Sequence, residues 1–153
     1  MSVHPSSFAF LSILSALISL TVSIATWRRS APGSSALSLL LLAMTIWAGG
    51  YATHWMDIAG EAKLFWFKVM FIGAAFLPTL FLVFTLKLTY NDHWLTPRRL
   101  LLLFIQPLAT LLLQWTNHYH HIYYLSLDIL QQNTTTVMEL TRGPWYFVHL
   151  VYS

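Results

Sequence analysis

Residues 64–90 read LFWFKVMFIGAAFLPTLFLVFTLKLTY, and between Lys68 and Lys87 no residue is charged. As a helix the uncharged run 69–86 is about 27 Å long at 1.5 Å per residue, close to the thickness of a hydrocarbon core. Both ammonium groups can reach opposite interfaces on their flexible stems, so Lys68 and Lys87 read as anchors of a span. Pro78 removes one backbone hydrogen bond inside that helix and is expected to kink it.

Three further stretches, 8–27, 36–55 and 100–116, are long and apolar in the same way, and a fifth begins at Trp145 behind Arg142-Gly143-Pro144. Inside a bilayer every backbone N–H and C=O must be paired within its own segment. Continuous apolar runs therefore mean helices, since barrel strands are shorter and alternate. Hydrophobic residues make up 57% of the chain and charged residues 8%, a balance that a soluble domain of this size could not hide. The expected fold is an all-α integral membrane protein, a polytopic transmembrane helix bundle forming one domain over 1–153. Its fifth helix covers about half a crossing before Ser153, so the sequence reads as a fragment of a longer protein.

The links set the orientation. Arg28 and Arg29 follow the first span and Arg98 and Arg99 precede the fourth, whereas the second link offers Asp57, Glu61 and only Lys63. By the positive-inside rule the arginines are cytoplasmic, which places the N-terminus and the segment 117–142 outside. The start lacks the positive region and small-residue motif of a cleaved signal peptide. Within the outer segment 121–129 and 134–141 are β-prone and separated by 130–133, as in an extracytoplasmic hairpin lying over the bundle mouth. Asn133-Thr134-Thr135 fits a glycosylation sequon.

Several function classes drop out. The basic residues sit at helix ends rather than in a stripe with interleaved aromatics, so no nucleic-acid partner is expected. The absence of Cys removes disulfides, thiolate metal sites and thiol nucleophiles. Nucleotide-binding glycine loops, paired carboxylates and Ser-His-Asp arrangements are also missing, so the chain as given is not expected to be an enzyme.

Two kinds of helix face carry more. Ser12, Ser15, Ser19, Ser23 and Thr26 follow at steps of three and four, so their hydroxyls share one side of the first helix and face protein. In the fourth span Gln106, Thr110, Gln114 and Asn117 form one stripe, with His121 in line. Amides are costly in hydrocarbon, so this stripe must look inward. Trp47, Tyr51 and His54 make a second stripe that ends on the same side. Together the two stripes are expected to line an outward-facing polar pocket, or else to form an interhelical hydrogen-bond cluster without a ligand. His118 and His121 can share a helical face within Asn117-His118-Tyr119-His120-His121, yet no H-E-x-x-H or Cys accompanies them. No metal and no cofactor are expected.

Arg28-Arg29 with Pro32-Gly33, Ile46-Trp47 with Gly50-Tyr51, and Lys63 with Trp66-Phe67-Lys68, Gly73, Pro78 and Phe84 recur in a known order. Trp94, Pro107, Thr110, Thr116-Asn117, His120-His121, Gly143-Pro144-Trp145, His149 and Tyr152 continue it. In these residues the chain resembles the seven-transmembrane input region at the N-terminus of many bacterial histidine kinases. The resemblance implies seven helices, a cytoplasmic C-terminus and a downstream cytoplasmic signalling module, a histidine kinase or a diguanylate cyclase. It further implies a location in the bacterial inner membrane and a small-molecule or physical stimulus; a homodimer is left open. The expected function is thus a membrane-embedded sensory input domain. The alternatives are a transporter or channel fragment, and a metal- or haem-binding membrane protein using His54, His118, His120 and His121.

Overall fold

The computed structural model describes residues 5–56, 58–132 and 135–153. These form α1 (Pro5–Trp27), α2 (Ser34–His54), α3 (Gly60–Leu88), α4 (Pro97–Trp115), the short α5 (Asn117–His120), β1 (Tyr124–Gln132), β2 (Thr135–Arg142) and α6 (Pro144–Tyr152). A 3-10 turn at Asp92–Trp94 leads into α4. There the Thr96 side chain accepts from the Arg99 amide and Pro97 occupies the first turn, where a missing N–H costs nothing. Ser7–Trp27, Ser34–His54 and Gly60–Leu88 are long and apolar enough to cross a membrane.

The stretch 100–116, expected as a fourth span, folds as α4 but is not one of these three. Arg98 and Arg99 occupy its first turn and Gln106 and Gln114 its body, which makes it less apolar than the other three. Part of its apolar surface faces outward. Leu101 and Leu112 are each 66% exposed, whereas Thr110 is 0% and Gln114 1% exposed. Polar groups inside and leucines outside are the arrangement that hydrocarbon, not water, favours as solvent.

Small residues set the spacing of the first three helices. A Cβ on Gly50 would lie 2.6 Å from the Met70 Cβ, and one on Gly73 would run into the Ala43 carbonyl and the Trp47 amide. α2 and α3 therefore approach backbone to backbone. Between α1 and α2 the contact is a reciprocal clamp. The Ser23 hydroxyl donates to the Ser38 carbonyl at 2.8 Å and the Ser38 hydroxyl donates to the Ser23 carbonyl at 2.7 Å. Ser12 and Ser15 instead bond back to the carbonyls of Phe8 and Leu11. Leu40, Ala43 and Leu80 centre the apolar core, with Phe84 and Phe104 packed on it.

β1 and β2 pair antiparallel as far as Gln132 opposite Thr135. Leu130, Gln131 and Gln132, expected to separate the two strands, instead extend β1 and pair with Val137, Thr136 and Thr135, since a ladder satisfies backbone groups whatever the side-chain pattern. Asn133 and Thr134 of the sequon lie outside the described residues.

Candidate functional site

Pro107 has no N–H, so the carbonyl of Leu103, one turn earlier, loses its helical partner. The Tyr152 hydroxyl of α6 donates to that carbonyl at 3.0 Å, and Thr79 of α3 meets the same hydroxyl at 2.7 Å. The gap in α4 is thus filled from two neighbouring helices, as hydrocarbon requires. One turn further along, the Gln106 amide donates to Thr110 Oγ1 at 3.2 Å and to His149 Nδ1 at 3.1 Å. Trp145 Nε1 also donates to Thr110 Oγ1, at 3.1 Å. Trp145, His149 and Tyr152 recur at steps of four and three, so α6 presents one polar edge to the polar face of α4.

Towards the hairpin the seam continues. Gln114 Nε2 donates to the Tyr124 hydroxyl at 3.3 Å. Asn117 then pins the chain where it turns back: its Oδ1 accepts from the amides of Tyr123 and Tyr124, and its Nδ2 donates to the Tyr124 carbonyl at 2.8 Å. Tyr123 and Tyr124 are almost wholly buried, against Phe71 and each other. Burial first, and neighbouring phenols second, push both hydroxyls well above the ordinary tyrosine range. Both therefore remain neutral near pH 7. Gln106 Oε1, Gln114 Oε1 and the Tyr123 hydroxyl are buried without a hydrogen-bond partner, so the seam is polar but incompletely satisfied.

Beside Gln114 a cavity of about 260 Å³ opens between α3, α4 and the start of the hairpin, with Lys68, Asn117, His118, His121, Phe67 and Tyr124 among its walls. The Lys68 ammonium lies 5.6 Å from the centre of the Trp115 ring, within cation–π range. No carboxylate is among the lining residues.

The second stripe goes elsewhere. Trp47 and Tyr51 face a groove of about 540 Å³ against Phe8, Ser12, Ser15 and Ser19 of α1. His54 stacks on Tyr51 and lines a small cavity with Lys63 and Phe67. The expected convergence of Trp47, Tyr51 and His54 with Gln114 and Asn117 is not what the structure shows, because α3 stands between α2 and α4 and Phe67 walls off one cavity from the other. Helical spacing fixes a face but not its neighbour. Lys68, read from sequence as an anchor alone, instead lines the cavity. Its partner there is Trp115, the residue after Gln114 on the neighbouring helix.

Of the remaining anchors, Arg28, Arg29, Arg98 and Arg99 are exposed at the opposite ends of their helices, with Arg99 stacked over Trp94 at 4.4 Å, and Lys87 is half-buried in the last turn of α3. His120 is used up locally. Its Nδ1 accepts from the Ile122 amide, and its Nε2 meets Thr116 Oγ1, whose own proton goes to the Leu112 carbonyl. His118 lies tilted against Tyr119, and among the described residues no group of three or more His, Asp or Glu is placed to hold a metal ion.

The polar face of α4, the polar edge of α6 and the filled proline gap together describe helices that recognise one another through polar contacts. No curated protein and no solved structure matches the chain. A family of signalling input regions does match, over residues 11–153: the chain belongs to the N-terminal 7TM region of histidine kinase.

Proposed function

We propose that this chain is the stimulus-perceiving part of a sensor histidine kinase in a bacterial inner membrane, with the arginine ends of its helices in the cytoplasm and the hairpin outside. Its sensing face is the cavity beside Lys68, Gln114 and Asn117, and the α4–α6 seam carries the response. The observation that supports this reading is the continuity of the seam. From Asn117 of α5 through Gln114, Thr110 and Gln106 to the Leu103 carbonyl of α4, each of these residues bonds either the base of the hairpin or α6. A shift at the cavity therefore changes which groups α6 can bond. With Gln106 Oε1 and Gln114 Oε1 lacking partners, alternative pairings within a few kcal/mol are available, as a two-state device needs.

Interhelical polar contacts in membranes contribute only about 0.6 kcal/mol on average, so conservative changes leave the helices inserted while altering the balance between pairings. Autophosphorylation of the full-length protein in membranes is expected to shift at least threefold for Gln106→Leu and for Ser126→Trp, which blocks the cavity mouth, at unchanged membrane content. Basal and stimulated output identical to the native protein for both would leave the seam as structural glue and end the sensing assignment.

A further inference from the structure

The cavity beside Gln114 has a chemistry that its volume and charge make specific. At about 260 Å³ it is smaller than the roughly 300 Å³ at which sites for drug-sized ligands begin. Its one ammonium group, Lys68, has no carboxylate in ion-pair reach among the described residues and lies over the Trp115 ring. His118 and His121 add two more N–H donors, and no wall residue carries a negative charge. An anionic group is the natural complement, because an uncompensated cation near the hydrocarbon is costly.

Gln114 supplies the second determinant. Its side chain is 1% exposed, and one end of its amide reaches Tyr124 while the other has no partner. A ligand group in the cavity that Gln114 lines is then the partner available to the free end. Tyr124 can accept from the amide nitrogen or donate to the amide oxygen, so either end is the free one. A hydroxyl, which both donates and accepts, satisfies both cases. Leu64, Phe67 and Leu125 leave the rest of the wall apolar.

We infer that this cavity binds a small organic acid carrying a hydroxyl group on a compact apolar body, its carboxylate towards Lys68 and its hydroxyl towards Gln114. The assignment rests on the reading of the cavity as the sensing site and names what that site takes. The probe is para-hydroxybenzoate, titrated against the full-length protein in lipid nanodiscs with tryptophan fluorescence and calorimetry as readouts. Benzoate, without the hydroxyl, and phenol, without the carboxylate, are the paired controls. The acid is expected to bind at least tenfold more tightly than either control, and Lys68→Met, which keeps the aliphatic stem, is expected to weaken it at least tenfold with unchanged circular dichroism. Gln114→Leu should remove the preference over benzoate.

No saturable binding, equal affinity for phenol, or indifference to Lys68→Met overturns the inference. Ser126→Trp separates the two claims. Loss of kinase response in that variant without any binding of the acid refutes the ligand class and leaves the sensing role standing. Binding of the acid that Ser126→Trp abolishes, with kinase output untouched throughout, supports the site as a binding site and refutes its role in sensing.

Discussion

Asn117 does the work of a strand partner with one side chain. Two backbone N–H groups and one carbonyl at Tyr123 and Tyr124 depend on it, and each buried group left unpaired costs about 1–3 kcal/mol. Asn117→Ala is therefore expected to release the base of the hairpin while α1 to α3 stay inserted, seen as faster proteolysis within β1 of the reconstituted protein. Protection equal to the native chain would show that another group replaces the amide. The two tyrosines themselves give a pH signature. Their folded pKa values are raised above the unfolded value by burial, so the stability they contribute is fully present below roughly pH 10 and is lost as pH rises through the folded values. Ultraviolet difference titration should show two of the seven tyrosines ionising last, together with loss of the hairpin. Ionisation of all seven in a single step would contradict their burial.

At the scale of elements, small residues matter by what they admit. Because Gly73 faces the backbone of α2 at Ala43 and Trp47, Gly73→Val forces the two helices apart. Overpacking of this kind costs about 1–3 kcal/mol. Thermal inactivation in detergent should fall by several degrees, whereas Gly49→Ala, whose Cβ would meet nothing within 4 Å, should be neutral. Equal effects of both would mean that α2 and α3 are not in close contact. The polar face of α4 was legible in the sequence because amides at helical spacing within leucines have no lipid-facing explanation. Its partner was not legible, since Trp145, His149 and Tyr152 sit in a segment too short for periodicity to be read with weight. Trp47, Tyr51 and His54 were legible as a face and misplaced as a neighbour: α3, with Phe67, intervenes. Lys68 was read by depth alone, and depth does not reveal that Trp115 stands opposite.

For the whole molecule the charge pattern carries the orientation. Arg28, Arg29, Arg98 and Arg99 cluster at one end of the helices, and Asn117, Tyr123 and Tyr124 at the other. Single cysteines at the exposed positions Ser30 and Tyr119 should divide cleanly in intact cells. A membrane-impermeant maleimide is expected to label Tyr119→Cys and to spare Ser30→Cys. The reverse pattern would invert the topology and move the cavity to the cytoplasmic side.

The carbonyl of Leu103 has a bearing on how the chain is made. During synthesis α4 emerges with two glutamines, two arginines and a backbone acceptor that its own proline has orphaned, while the hydroxyl that fills the gap lies forty-nine residues downstream. Until α6 arrives, the Leu103 carbonyl has only the longer contact from Thr79 of α3, at 3.4 Å, and poorly paired backbone is costly in lipid, so α4 should linger at the insertion machinery and partition into the bilayer together with α6. In a nascent chain halted before Pro144, a single cysteine at the lipid-facing position Leu108 should react with a water-soluble maleimide, and in one extended past Tyr152 it should not. Protection of that cysteine in the shorter chain would mean that α4 needs no such companion. The proline-containing helix and its latecomer are then a single unit of biogenesis.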